Sequence, residues 1–132
     1  MLLLLMAAAR PASAESEKAT NASEAPGESM PVACRLGAFT PEEQTRHSEL
    51  MATLAPILQS PRELENGYAF PLAATPEQFV AVAEWITLER KCCPFLEFDL
   101  KWTPQTNTPE LRLTGGPGVK DFIAAQWAAA QE

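Results

Sequence analysis

From Thr40 onward, apolar positions alternate between helical and strand spacing, and the switches between them are marked by recognisable start and stop residues. Thr40-Pro41-Glu42-Glu43 sets a hydroxyl N-cap, a proline at the first helical position and a Glu at the third. This satisfies the orphan N–H groups of a helix start and predicts a helix from Pro41. Its apolar stripe is His47, Leu50, Met51 and Leu54, and Pro56 stops it near Ala55. Ile57 to Glu65 and Tyr68 to Leu72 then read as two strands, with Asn66-Gly67 supplying the two positive-φ positions of a tight hairpin turn. Pro61 removes a ladder donor and sends the first of these strands to the sheet edge.

Thr75-Pro76-Glu77-Gln78 repeats the start signal and opens a second helix, whose buried stripe is expected to be Phe79, Val82, Ala83 and Ile86. At 100° per residue Cys93 falls on that stripe and Cys92 nearer the side of Trp85. Pro94 disfavours the helical conformation at Cys93, so the pair sits where the helix breaks. Phe95 to Trp102 alternates, with Leu96, Phe98, Leu100 and Trp102 on one face and Glu97, Asp99 and Lys101 on the other. Thr103 to Pro109 turns the chain into Leu111-Arg112-Leu113, and Gly115-Gly116-Pro117-Gly118 leads to a last helix with the stripe Val119, Phe122, Ile123, Trp127 and Ala130. Trp85, Trp102 and Trp127 all fall in amphipathic elements and are expected to fill the core. The order predicts an α+β fold: a four-stranded, mainly antiparallel sheet built from two hairpins, each followed by a helix, with an additional N-terminal helix.

Ahead of this domain, expected over residues 32–132, the pattern changes. Residues 1–14 hold an apolar run from Met1 to Ala9 followed by Ala12-Ser13-Ala14, a small-x-small pattern that reads as a signal-peptidase site, although no Lys or Arg precedes the run and Arg10-Pro11 interrupts its end. The run falls well short of the roughly 20 residues that span a bilayer, so no transmembrane span is expected. Residues 15–31 are small, polar and acidic with no aromatic residue, the composition of a disordered linker. Two compartments follow: exported or periplasmic if the leader is cleaved after Ala14, cytoplasmic if translation starts at Met30.

At 132 residues the chain allows one domain with tails, and 46% hydrophobic residues suffice for a core. Ten Lys and Arg against seventeen Asp and Glu give a net charge of −7, a field that repels phosphate backbones and argues against nucleic acid as a partner.

Chemistry concentrates in Glu89-Arg90-Lys91-Cys92-Cys93-Pro94-Phe95, where two of only three cysteines are adjacent. Thiolate is the soft ligand and strong nucleophile of the side-chain set. At a helix end broken by proline, both sulfurs can face one cavity. Arg90 and Lys91 would favour thiolate, and the negative end of the helix dipole would oppose it. Glu89 precedes Cys92 by three and Cys93 by four residues, which lets it act as proton acceptor or extra ligand, although an exposed charge is the commoner use. Cys34 is the third thiol and His47 the only histidine. Cys34, Cys92 and Cys93, with His47 as the weaker candidate, contain the ligand types of a structural zinc site but lack its C-x₂-C knuckles. Three thiolates alone suit a soft ion or metalloid such as Cu(I), Hg(II) or trivalent arsenic. The bland alternative is that the cysteines pack as small hydrophobes and His47 is a hydrogen-bonded core residue.

Other motifs carry less. Thr114-Gly115-Gly116-Pro117-Gly118-Val119-Lys120 has no Gly-Lys-Ser/Thr ending and reads as a glycine-rich helix start rather than a phosphate loop. Glu97 and Asp99 alternate with apolar residues and read as a solvated strand face. The stretch from Cys34 to Ile123 resembles a group of small uncharacterised bacterial proteins. The resemblance rests on Ala33-Cys34, Thr40-Pro41-Glu42-Glu43 with His47, the Glu89 to Phe95 segment, and Leu113-Thr114-Gly115 followed by Lys120 and Phe122. It implies a domain start near Met30 and brings no activity, cofactor or catalytic residue.

Three function classes follow. The first is a small thiol protein binding a soft metal or metalloid through Cys92 and Cys93 with Cys34 as third ligand. The second is a thiol-redox protein or enzyme, acting on a thiol-containing partner, in which one of the pair, with Glu89 nearby, attacks a disulfide or oxidant and Cys34 resolves it. The third is a non-enzymatic interaction domain with structural cysteines. In an oxidising space the odd number leaves one thiol unpaired in a monomer, with Cys34 bonded to Cys92 or Cys93, or a disulfide between two chains.

Overall fold

The structure, a computed structural model, describes residues 31–132. The expected leader and all but the last residue of the linker lie outside the described residues. Among the described residues, three α-helices and four strands make an α+β fold with one antiparallel sheet. The elements are α1 (Pro41–Leu54), β1 (Arg62–Leu64), β2 (Gly67–Pro71), α2 (Pro76–Cys92), β3 (Glu97–Thr103), β4 (Thr108–Thr114) and α3 (Val119–Ala130), with short 3-10 turns at Leu36–Ala38 and Ala55–Ile57.

Both threonine start signals form complete capping boxes. The Glu43 N–H donates to Thr40 Oγ1 at 3.1 Å while the Thr40 N–H donates to Glu43 Oε1 at 3.1 Å, and Thr75 and Gln78 repeat the exchange at the start of α2. The α1 stripe is buried as its spacing predicts, through His47, Leu50, Met51 and Leu54. The α2 stripe is not the expected one. Ala83 is exposed and Phe79 and Ile86 are only half-buried; the buried residues are Val82, Trp85, Leu88, Glu89 and Cys92. Trp85 explains the rotation, because its Nε1–H donates to Met51 Sδ of α1 at 3.1 Å and its ring meets Phe98 of β3 edge-on at 5.8 Å. The largest side chain of α2 therefore fills the space between α1 and the sheet and sets which side of the helix faces inward.

The strands run in the order β1-β2-β4-β3. Tyr68 pairs with Leu113 and Leu113 with Phe98, while Phe70, Leu111 and Leu100 align in the same way. These six residues share one face, onto which α2 packs through Trp85 and α3 through Trp127, 5.3 Å from Phe70. The opposite face carries Arg62, Glu110, Arg112, Asp99 and Lys101, with an Arg62–Glu110 ion pair.

Several local expectations need correction. The run Ile57–Glu65 forms only the three-residue strand Arg62–Leu64, at the sheet edge. Pro56 and Pro61 interrupt the ladder, and one isolated bridge joins Leu58 to Leu72. The hairpin loop is Glu65-Asn66, and neither Asn66 nor Gly67 has a positive φ. Gly67 is required for another reason: a Cβ there would lie 2.0 Å from the Leu113 carbonyl oxygen, so the glycine permits the close approach of β4. Trp102 is 44% exposed at the end of β3, its ring tilted against Phe79 at 4.9 Å rather than in the core. In α3, Ala130 is exposed and Gln126 is buried with Val119 and Ile123. The residue capping its start is Gly118, whose φ of 90° needs a glycine.

Gly67→Ala is expected to destabilise the fold by about 2 kcal/mol, the cost of forcing an atom into a packed interior. Gly116→Ala, with nothing within 4 Å of its Cβ position, should change stability by less than about 0.5 kcal/mol. Urea unfolding of both variants is the check, and equal midpoints would refute the close-approach account.

Candidate metal centre

The site forms where α2 ends. Cys92 is the last helical residue. Cys93 follows at φ −123°, ψ 71°, outside the helical region, with its N–H still donating to the Glu89 carbonyl at 2.8 Å. Pro94 imposes this departure through its clash with a helical preceding residue. Leaving the helical track lets Cys93 turn its sulfur to the same side as that of Cys92, and the two are 0% and 5% exposed.

A helix end leaves carbonyl groups without partners. Here the Arg35 N–H donates to the Cys92 carbonyl at 2.8 Å and staples the segment before α1 onto the end of α2. Cys34, the neighbour of that donor, is thereby laid over the pair. Its Sγ lies 3.4 Å from Cys93 Sγ although the two residues are 59 positions apart. The three sulfur atoms of Cys34, Cys92 and Cys93 all lie within 4.8 Å of one another, a group that can hold a metal ion, and none is in a disulfide. Cys34 is half-buried and is the outermost of the three.

Glu89 lies behind the sulfurs with 0% exposure. It is thus not the exposed charge that is the commoner use of such a residue, and its spacing of four places it beside the Cys93 sulfur. Its Oε2 accepts from Cys93 Sγ at 3.4 Å, and its Oε1 lies 2.6 Å from His47 Nε2. His47 is itself buried on α1, with its ring 4.8 Å from Phe39. The Nε2 of His47 thus faces the carboxylate, and the ring touches the thiol group only through Glu89. Loss of hydration in this enclosure raises the Glu89 pKa, while the bond to His47 works against the shift.

The thiols share their protons unequally. Cys92 is held well below the usual thiol range because the neighbouring Cys34 and Cys93 thiols stabilise its thiolate. Those two are raised: Cys34 by its interaction with Cys92 and by burial, Cys93 by Cys34 and Cys92, by burial and by the adjacent Glu89. The cations expected to favour thiolate are placed elsewhere. The Lys91 ammonium is paired with Glu43 of α1, and Arg90 is exposed. Arg46 adds a two-pronged bond to Glu84, at 2.8 and 2.7 Å, so charges on the outside clamp α1 to α2 over the buried pair.

Glu97 and Asp99 are exposed on β3, away from this cluster. Two contributors escaped sequence reasoning: the Arg35 N–H, a backbone group that no side-chain pattern reveals, and Phe39, which packs on His47 from the loop before α1.

Glu89→Ala is expected to cost about 3 kcal/mol, because it opens a cavity and leaves the His47 ring buried without its partner. Glu89→Gln keeps an oxygen and the shape and should cost about 1 kcal/mol. Urea unfolding distinguishes them, and an alanine variant as stable as the parent would show that the pair does not hold α1 to α2.

No protein-family model, curated protein or solved structure matches the chain. Its function is therefore argued from the chemistry of the three thiols and the buried acid beside them.

Proposed function

We propose that the chain binds one soft metal or metalloid ion through Cys34, Cys92 and Cys93. The observation that carries this reading is the convergence of three sulfur atoms within 4.8 Å from two segments of the chain, with no disulfide among them. Packing alone has no need to bring three thiols together, whereas soft ions are held by such a set. With a bond of about 2.3 Å to each sulfur, as for zinc, ligand sulfurs stand about 3.8 Å apart in a tetrahedron and about 4.0 Å apart in a planar triangle. The span of the cluster needs only side-chain adjustment to meet this. The chain Cys93–Glu89–His47 supports the reading from behind, since hydrogen-bonded partners of ligands orient them and tune their charge. Half-buried Cys34 is the sulfur from which an ion can pass to or from a thiol-containing partner. The reduced or occupied trio is the functional form in either compartment, cytoplasmic or exported.

A second reading, thiol redox chemistry, is favoured by one distance: Cys34 and Cys93 Sγ lie 3.4 Å apart, placed to join once one of them is oxidised. A bond between adjacent Cys92 and Cys93 would close a strained eight-membered ring, so resolution through Cys34 is the chemically preferred course.

Titration of free thiols in the native protein, with and without one equivalent of Hg(II), Cu(I), Zn(II) or arsenite, separates these readings. Protection of all three thiols by one of the ions is the expected result. Three thiols that stay reactive with every ion would overturn the binding proposal. Thiol-dependent turnover of a peroxide or disulfide in that case would favour the redox reading, and three inert thiols the structural one.

A further inference from the structure

We infer that the ion this site is built to take is a trivalent, pyramidal metalloid, arsenic or antimony presented as its neutral hydroxide. The inference rests on the binding reading above and narrows it by charge and by shape.

Charge comes first. Three thiolates around Cu(I) leave a complex of charge −2, around Zn(II) or Hg(II) −1, and around trivalent arsenic zero. A net charge in a buried site must be balanced by a buried partner or be kept in water. Among the described residues the buried polar and charged side chains are His47, Glu89 and Gln126, with no lysine or arginine. His47 and Glu89 are bonded to each other. Lys91 is engaged by Glu43 at the rim. Nothing buried supplies the positive charge that a divalent or monovalent trithiolate would need, which leaves only the half-buried Cys34 edge to solvate it, whereas a neutral complex needs neither.

Shape points the same way. A divalent zinc ion completes four positions. Among the described residues, the only side chains beside the three sulfurs that offer a fourth ligand are the Glu89 carboxylate and the His47 ring, committed to one another at 2.6 Å, so zinc would have to take a water there. Trivalent arsenic carries a lone pair, takes three ligands in a pyramid and requires no fourth. The S–As–S angles of such a pyramid are narrower than tetrahedral and draw the sulfurs together. The Cys34–Cys93 edge, 3.4 Å, is already shorter than the roughly 3.8 Å of a tetrahedral zinc thiolate site.

Loading balances without any further reactant. Three As–O bonds of As(OH)₃ break and three As–S bonds form; two departing hydroxides take the protons of the Cys34 and Cys93 thiols, the third, displaced by the Cys92 thiolate, takes one from solvent, and three waters leave. Arsenic stays trivalent, no electrons move, and no acid is released. Loading three thiols with a divalent ion instead releases protons to solution.

The test uses the full reduced chain with arsenite, and with Zn(II) and Hg(II) as comparison ions, reading intact native mass, remaining free thiols and acid release in weak buffer. The expected result is one arsenic per chain with a mass gain of one arsenic less three hydrogens, all three thiols protected, no acid released, and retention of arsenic against equimolar Zn(II). Cys34→Ser, with Cys34→Ala as a second variant and circular dichroism to confirm folding, should weaken arsenite binding on the order of a hundredfold, the loss of one tethered ligand of three. If Zn(II) or Hg(II) protects three thiols while arsenite binds the parent no tighter than the Cys34 variants, the metalloid assignment is wrong and the binding reading stands. If none of the ions protects the thiols, both fall.

Discussion

The 2.8 Å hydrogen bond from the Arg35 N–H to the Cys92 carbonyl is the contact on which the thiol site depends, because it joins the only two parts of the described chain that carry cysteine. The bond exists because α2 stops. A helix that continued past Cys92 would use that carbonyl internally and keep Cys93 on the helical track, pointing about 100° away from Cys92. Pro94 prevents both outcomes. One imino acid thus frees the acceptor that recruits Cys34 and turns Cys93 inward, and a local backbone rule is converted into a cluster of three sulfurs.

Behind the sulfurs, burial of Glu89 is affordable only because both of its oxygens are engaged, one by His47 and one by Cys93. The same pair links α1 to α2 from within, while Arg46–Glu84 and Lys91–Glu43 link them at the surface. Contacts at the surface are worth little individually. The buried one fixes the relative position of the two helices, and that position sets the depth at which the thiols sit. Core, helix pair and candidate site are therefore one construction: Trp85 against Met51 and Phe98 sets the rotation of α2, and that rotation turns Glu89 and Cys92 inward.

Much of this was legible in the sequence where the governing physics is local. Thr40 and Thr75 with proline and Glu or Gln after them define both helix starts, and Cys93-Pro94 marks the break. The α2 register was not legible, for a definite reason. The stripe that is buried, Val82, Trp85, Leu88, Glu89 and Cys92, has a carboxylate in it, so apolar periodicity favours the neighbouring stripe of Phe79, Val82, Ala83 and Ile86, of which only Val82 is buried. A charge counts as apolar burial only when its partner is known, and the partner, His47, is 42 residues away. Asn66-Gly67 misled in a similar way. The glycine answers to the Leu113 carbonyl of β4 rather than to the conformation of its own turn. Trp102 alternates correctly with Phe98 and Leu100, yet near the end of the strand it meets half-buried Phe79 in the first turn of α2, at a tilt of 47°, and stays partly exposed. Cys34 was offered as the third ligand by residue type alone; what brings it to Cys93, the Arg35 N–H on the Cys92 carbonyl, leaves no side-chain pattern in the sequence.

The central claim, that three sulfurs and no other atoms form the ligand set, is tested most directly by X-ray absorption at the edge of the bound element in the loaded, reduced protein. The account predicts a first shell of three sulfur atoms at a single short distance, with no oxygen or nitrogen. A shell of two sulfurs completed by oxygen or nitrogen would contradict it, because Cys34 would then stand outside the site or Glu89 and His47 would have broken their bond to enter it.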